Sequence, residues 1–162
     1  MNTIRVVDYA PEHEAAASGL MAELQDFERT LSHDRSDGAQ IARDHLAYLL
    51  SLCARHSGKL FVALDGEEVI GFAVVFLESE DEDDEHLLPE FKRYGWLSDL
   101  YVKPGHRGAG VATRLLQRCE RHCAGFGVRQ LRLSTLAANA GARRFYENAG
   151  YSERDVVYVK DV

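Results

Sequence analysis

The run VKPGHRGAGVA, from Val102 to Ala112, places three glycines and the basic residues Lys103 and Arg107 between an apolar run and a helix-patterned one. A strand, a glycine-rich turn and a helix start make an anion site. The first helical amides lack intrahelical partners, the helix dipole adds positive potential, and missing side chains admit close approach. Arg107 can add a charge-assisted bond. Glycines also build ordinary tight turns, so the loop alone does not name a ligand. Its spacing does exclude two. No G-x-x-x-x-G-K-[ST] string occurs, and Gly105, Gly108 and Gly110 read G-x-x-G-x-G rather than the dinucleotide order G-x-G-x-x-G.

Other reactive types are less organised. Cys119, His122 and Cys123 share a helix face, but no fourth ligand lies nearby and the face is apolar, so they read as core and no metal is expected. His33, His45 and His56 are scattered and support no site. Seven of the eight residues from Glu78 to Glu85 are acidic, which reads first as a solvated loop.

The elements around these residues follow from spacing. TIRVVDY favours a strand, and Pro11 opens a helix carrying Leu20, Leu24, Phe27 and Leu31. A second helix is expected over residues 39–56, with Ile41, His45, Tyr48, Leu49, Leu52 and Cys53 on one side. KLFVALDGEEVIGFAVVFLE reads as a hairpin turning at Asp65-Gly66. GWLSDLYV is a strand that Pro104 ends. Ala112, Leu115, Leu116, Cys119, Cys123 and Phe126 pattern a helix, and RQLRLST a strand. Asn139 caps a short helix, and VVYV is a last strand. This order defines an α/β layered domain around a mixed sheet, expected to be one domain over residues 1–162.

Composition narrows the function classes. The net charge is −7, yet Lys103 to Arg132 holds seven basic residues against the single acid Glu120, so that segment is +6 and the remainder −13. An acidic chain with one basic segment suits a single anionic ligand and excludes a general nucleic-acid binder. No apolar run approaches membrane-spanning length, so no membrane partner is expected. The start MNTIRVVDYAPEHE resembles no leader, and three cysteines without paired spacing fit a cytoplasmic protein.

DLYVKPGHRGAGVATRLL resembles the cofactor motif [Q/R]-x-x-G-x-[G/A] of the GNAT superfamily of N-acetyltransferases, here Arg107, Gly110 and Ala112. NAGARRFYENAGY resembles the same family's second motif, through Asn139, Ala142, Phe145-Tyr146 and Gly150-Tyr151. The resemblance implies a GNAT fold, with six to seven strands flanked by four helices and a sheet splayed at the cofactor site. It implies acetyl-CoA as co-substrate, with no metal. Its pyrophosphate would lie on Arg107, Gly108, Ala109, Gly110, Val111 and Ala112. Its pantetheine would run beside Leu100, Tyr101 and Val102, near Asn139, Ala142 and Phe145. A homodimer is also expected.

The resemblance further implies Tyr146 as the acid that protonates the leaving thiolate. Related polyamine acetyltransferases carry Glu-Asp where this chain has Ser98-Asp99, so their carboxylate base does not carry over. Either Ser98 holds a water that takes the amine proton, or the amine arrives neutral. Asp99, on the opposite face by strand alternation, is expected to hold an ammonium. Phe27 and Glu28 fall where the family shapes its acceptor pocket, and Glu78 with the acidic run would attract a cation. The expected activity is acetyl transfer to a small cationic primary amine, polyamine- or aminoglycoside-like, by direct attack in a ternary complex. The alternatives are a non-catalytic acyl-CoA-binding or sensing domain and an acetyltransferase of protein or peptide amines.

Overall fold

The computed structural model describes residues 3–162. Its elements run β1 (Arg5–Asp8), α1 (Glu14–Arg29), α2 (Gly38–Arg55), β2 (Lys59–Asp65), β3 (Glu68–Ser79), α3 (Pro89–Lys92), β4 (Arg93–Val102), α4 (Val111–Ala124), β5 (Leu131–Leu133) and α5 (Ala140–Asn148). Pro11–His13 and Pro104–His106 form single 3-10 turns. The strands make one sheet in the order β1-β2-β3-β4-β5, antiparallel except for the parallel pair β4–β5.

Both faces of this sheet are covered. β3 is buried on both sides from Val69 to Leu77. Phe72, Val74 and Phe76 pack with Leu20, Met21, Leu46 and Leu49 of α1 and α2. Ala73, Val75 and Leu77 pack with Leu115, Leu116 and Cys119 of α4. Each such buried side chain contributes about 1.5–3 kcal/mol. The ion pairs Lys59–Asp8 and Arg118–Asp8 join side chains between 39 and 48 % exposed and add at most about 1 kcal/mol each. Burial dominates.

The corner between α1 and α2 is tight. Asp37 accepts from the Gln40 amide at 3.2 Å, and Asp26 of α1 accepts from the Gly38 amide at 2.8 Å. A side chain at Gly38 would collide with the Ala22 carbonyl, so glycine is required there.

β4 governs the rest. It pairs with β3 along its whole length but with β5 only at Gly95, Trp96 and Leu97. Beyond Leu97 the two strands part, leaving one edge of residues 98–102 without a strand partner. The β3–β4 register slips by one between Leu97, opposite Val75, and Asp99, opposite Val74. Ser98 is the extra residue of a β-bulge. Trp96 and Tyr101 face the α1–α2 core while Leu97 and Leu100 face α4, so the alternation skips a step and turns both Ser98 and Asp99 toward α1 and α2.

The sheet holds five strands among the described residues rather than six or seven, and the helices number five because Pro89–Lys92 adds a short α3. VVYV is not a strand. After Tyr151 the chain makes no backbone–backbone hydrogen bond among the described residues, and Val157, Tyr158 and Val159 are 88–91 % exposed. β-Rich composition needs a neighbouring edge to become a strand, and this chain brings none to it.

Gly95 decides where the parting begins. A methyl group there would collide with Cys123 Sγ and press on Leu131 Cδ1 at 3.0 Å. Gly95→Ala is expected to destabilise the protein by about 1–3 kcal/mol. Chemical denaturation should show Cys123→Ala recovering part of that loss in the double variant; purely additive effects would place the clash elsewhere.

Candidate functional site

The glycine loop forms as the start of a helix. Gly108 and Gly110 take φ angles of 80° and 76°, and Gly110 is the N-cap residue of α4, with no side chain bonding the first-turn amides. Added Cβ atoms at both glycines would meet no atom within 4 Å, so the positive φ, not crowding, demands glycine. The open space lies over uncapped amides of a 14-residue helix. These features fit an anionic group such as a pyrophosphate.

Arg107 is used differently from the simple expectation. Its Nε donates to the Val102 carbonyl at 2.9 Å, and its guanidinium carbon lies 5.4 Å from the Tyr101 ring centre. It clamps the loop onto the end of β4 and occupies a carbonyl expected to pair with pantetheine. Leu100 keeps its place on the unpaired edge. Most of the segment's other basic residues are also engaged within the protein. Arg114 donates to the Ile4 carbonyl at 2.9 Å, Arg118 bonds Asp8 at 3.1 Å, and Arg132 stacks 3.8 Å over Tyr94 while bonding Glu80 at 3.3 Å. The net charge of the segment therefore overstates what is free for a ligand.

Across the gap from β4 stands α5. Asn139 caps it by accepting from the Ala142 amide at 3.1 Å. Phe145 and Tyr146 pack against the α4-side core with ring centres 5.1 Å apart. The hydroxyls of Tyr101 and Tyr151 donate to Glu23 and Glu120 at 3.0 and 2.9 Å; that of Tyr146 takes part in neither bond. Burial, with the nearby Cys119 and Asp99 adding to it, raises the Tyr146 phenol well above its ordinary range and keeps it protonated.

Asp99 is the centre of the other wall. The bulge lets Ser98 Oγ donate to Asp99 Oδ2 at 2.6 Å, correcting the expectation that the two face opposite sides. Burial raises the Asp99 carboxyl above the usual carboxylate range, while the Ser98 bond and the neighbouring His45 and Arg35 pull it back. Glu28, 3.6 Å from Arg35, is likewise raised by burial, with Asp99 adding to it and Arg35 and His45 opposing. Residues from α1, the α1–α2 loop, α2, β4 and α5 thus meet electrostatically at one place. His45 and Arg35 were not legible as site residues, although a histidine inside the apolar stripe of the second helix was the available signal.

Phe27 is 38 % exposed beside Glu28, and Glu78 belongs to β3, opposite Tyr94. Four strand residues separate Glu78 from Val74, the register partner of Asp99, or about 13 Å. The acidic loop is also partly neutralised. Lys92 Nζ donates to the Glu82 carbonyl at 2.6 Å, and His86 pairs with Asp84 at 2.7 Å. Cys119 and Cys123 are buried, and His122 bonds the Ser57 carbonyl at 2.7 Å. No helix among the described residues is long and apolar enough to cross a membrane.

This parted sheet with a glycine-cradled helix start defines the acetyltransferase class of α/β proteins. The Acetyltransferase (GNAT) family model matches residues 20–151, and the chain belongs to that family. It is 30 % identical to the uncharacterised N-acetyltransferase YhfO of Bacillus subtilis, over 86 % of this chain and 83 % of that protein. It is also 30 % identical to the uncharacterised N-acetyltransferase YycN of the same organism, over 60 % of this chain and only 56 % of that protein's length. The fold matches the aminoglycoside N-acetyltransferase AAC(6')-Iy in complex with CoA at a TM-score of 0.72 and 19 % identity, covering 98 % of this chain and 95 % of that one.

Removing the clamp should loosen the loop without unfolding the protein. In Arg107→Ala, amide exchange across residues 103–110 is expected to rise about tenfold, as one charge-assisted bond is lost. Unchanged exchange would mean that the backbone alone holds the loop.

Proposed function

We propose that this protein transfers the acetyl group of acetyl-CoA to a small cationic primary amine by direct attack in a ternary complex. The observation that carries the proposal is the unpaired edge of residues 98–102, running from the uncapped α4 N-terminus to Asp99 and Tyr146. The amides of residues 108–112 would hold the pyrophosphate. The Leu100 backbone would hold the pantetheine arm as an added strand would. Ala142 and Phe145 would line the α5 side of the cleft, and Tyr146 would face the thioester sulfur.

Two carboxyls whose burial disfavours their charge, Glu28 and Asp99, would be relieved by an ammonium. This supports an acceptor amine that arrives as a cation, and the structural likeness to an aminoglycoside acetyltransferase is in keeping with a small one. Glu78 lies too far along β3 to touch that ammonium; its contribution is to the field of the acidic loop. A non-catalytic acyl-CoA-binding role would leave Tyr146 and the carboxyl pair without a task.

Thiol-release assays with polyamines, aminoglycosides, amino acids and peptides test the reading. Gly110→Trp should weaken acetyl-CoA binding in calorimetric titration by filling the cradle. Tyr146→Phe should keep acetyl-CoA affinity and lose about 10²-fold in kcat, the low end for a lost general acid. Wild-type kcat in that variant would reduce Tyr146 to packing.

A homodimer is part of the same reading. The arm from Val156 to Val159 is apolar and 67–91 % exposed, and the outer edge of β5 has no strand partner among the described residues. His33–Asp161, between side chains more than 80 % exposed, holds the arm only weakly. We infer that each arm pairs with β5 of a second copy. Light scattering should give a dimer for the wild type and a monomer for Tyr158→Glu; a wild-type monomer would refute the exchange.

A further inference from the structure

We propose that Glu23 of α1 is a positioning residue for the glycine loop. Through the Tyr101 hydroxyl it fixes the ring on which Arg107 rests, and so sets how firmly the amides of residues 108–112 are held for the pyrophosphate. The inference rests on the acetyl-transfer reading above and extends it to a residue outside the cleft.

Glu23 stands at the border of the buried stripe of α1, three residues beyond Leu20 and two beyond Met21. A carboxylate on that exposed border is solvated and needs no protein partner. It nevertheless accepts from the Tyr101 hydroxyl at 3.0 Å, a contact that spans 78 positions of the chain. Tyr101 is only 7 % exposed, and a hydroxyl on so buried a ring requires a bond. Burial, then the Glu23 bond and charge, raise the Tyr101 phenol above its ordinary range while Arg107 opposes them, so the hydroxyl stays protonated and donates.

Satisfying one hydroxyl would be a local matter if Arg107 did not share the ring. Its guanidinium carbon lies 5.4 Å from the Tyr101 ring centre while its Nε holds the Val102 carbonyl at 2.9 Å. With the hydroxyl hydrogen committed to Glu23, the oxygen lone pairs are left to the Arg107 side, and a carboxylate, a phenol and a guanidinium form one polarised series. Glu23 thereby acts on the loop from a helix that does not touch it.

The loop's other supports end before the cradle. Lys103 Nζ meets Glu68 at 2.6 Å and His106 Nε2 lies 3.6 Å from Asp65, which tie residues 103–106 to the β2–β3 hairpin. Arg107 is the next residue, and Gly108 and Gly110 beyond it have open space around them. The last side-chain anchor before the uncapped amides is therefore the one that Glu23 and Tyr101 hold.

The test compares Glu23→Ala, Glu23→Gln and Tyr101→Phe. Calorimetric titration should show the acetyl-CoA Kd rising about fivefold in Glu23→Ala and in Tyr101→Phe, the loss of one hydrogen bond to a charged group. The double variant should be no weaker than either single one, because the series is already broken. Glu23→Gln keeps an acceptor oxygen and should stay within about twofold of the wild type. With a confirmed acceptor, the KM for acetyl-CoA should rise while kcat and the acceptor KM hold. Amide exchange in the ligand-free protein should quicken across residues 103–110 in Glu23→Ala and not along β3. Because Glu23 is exposed, its variants fold even if Tyr101→Phe does not. An unchanged Kd or unchanged loop exchange in Glu23→Ala, additive losses in the double variant, or a rise confined to the acceptor KM overturns the inference. Failure of the acetyl-transfer reading looks different: the wild-type protein would release no thiol with any amine, while the exchange comparison would still report on the loop.

Discussion

β4 pairs on one side at nine residues and on the other at three. Everything the site offers depends on that inequality. The continuous ladder to β3 anchors the strand in the core, so its other edge can lose its partner without the strand detaching. Gly95 lets β4 come close enough to Cys123 and Leu131 for the short parallel pairing to form. Once past Leu97, unused backbone donors and acceptors face a gap between β4 and α5. Polar backbone left unpaired is costly when buried, and it invites an extended ligand to complete the ladder.

The same strand supplies the two ends of the cleft. At one end its last carbonyl takes Arg107, which folds the glycine loop back and aims the start of α4 outward. At the other, the bulge turns Ser98 and Asp99 toward the helical corner made by α1 and α2. That corner is itself fixed by Asp26 and Asp37 bonding the first amides of α2. Rigid elements thus surround a small group of ionisable side chains, the condition under which burial can shift their proton affinities.

Electrostatics here are local. The chain's basic segment and acidic run look like opposed fields in composition, but many of their charges are already paired. Arg118 serves Asp8, Arg132 serves Glu80 and Tyr94, and Lys92 ties down the acidic loop. What remains for ligands is an uncapped helix terminus at one end and the half-buried pair Glu28 and Asp99 at the other. Exposed pairs contribute little to stability, so these contacts shape loops more than they hold the fold.

What the sequence by itself determined is what neighbouring residues decide. The glycine loop, the Asn139 cap, the hairpin and the two helical motifs depend on backbone freedom and spacing within a few residues, and all are present, the hairpin turning at Gly66-Glu67, one residue later than read because Asp65 still pairs with Glu68. The layered α/β fold followed from apolar periodicity. Tertiary structure alone decided the rest, because it turns on partners far away in the chain. The Ser98–Asp99 contact needs a register slip against β3, which no local pattern in SDLYV announces. His45 and Arg35 gain their meaning only when α2 and its preceding loop are laid over β4. VVYV has the composition of a strand and is not one, because a strand needs an edge and the fold puts none beside it.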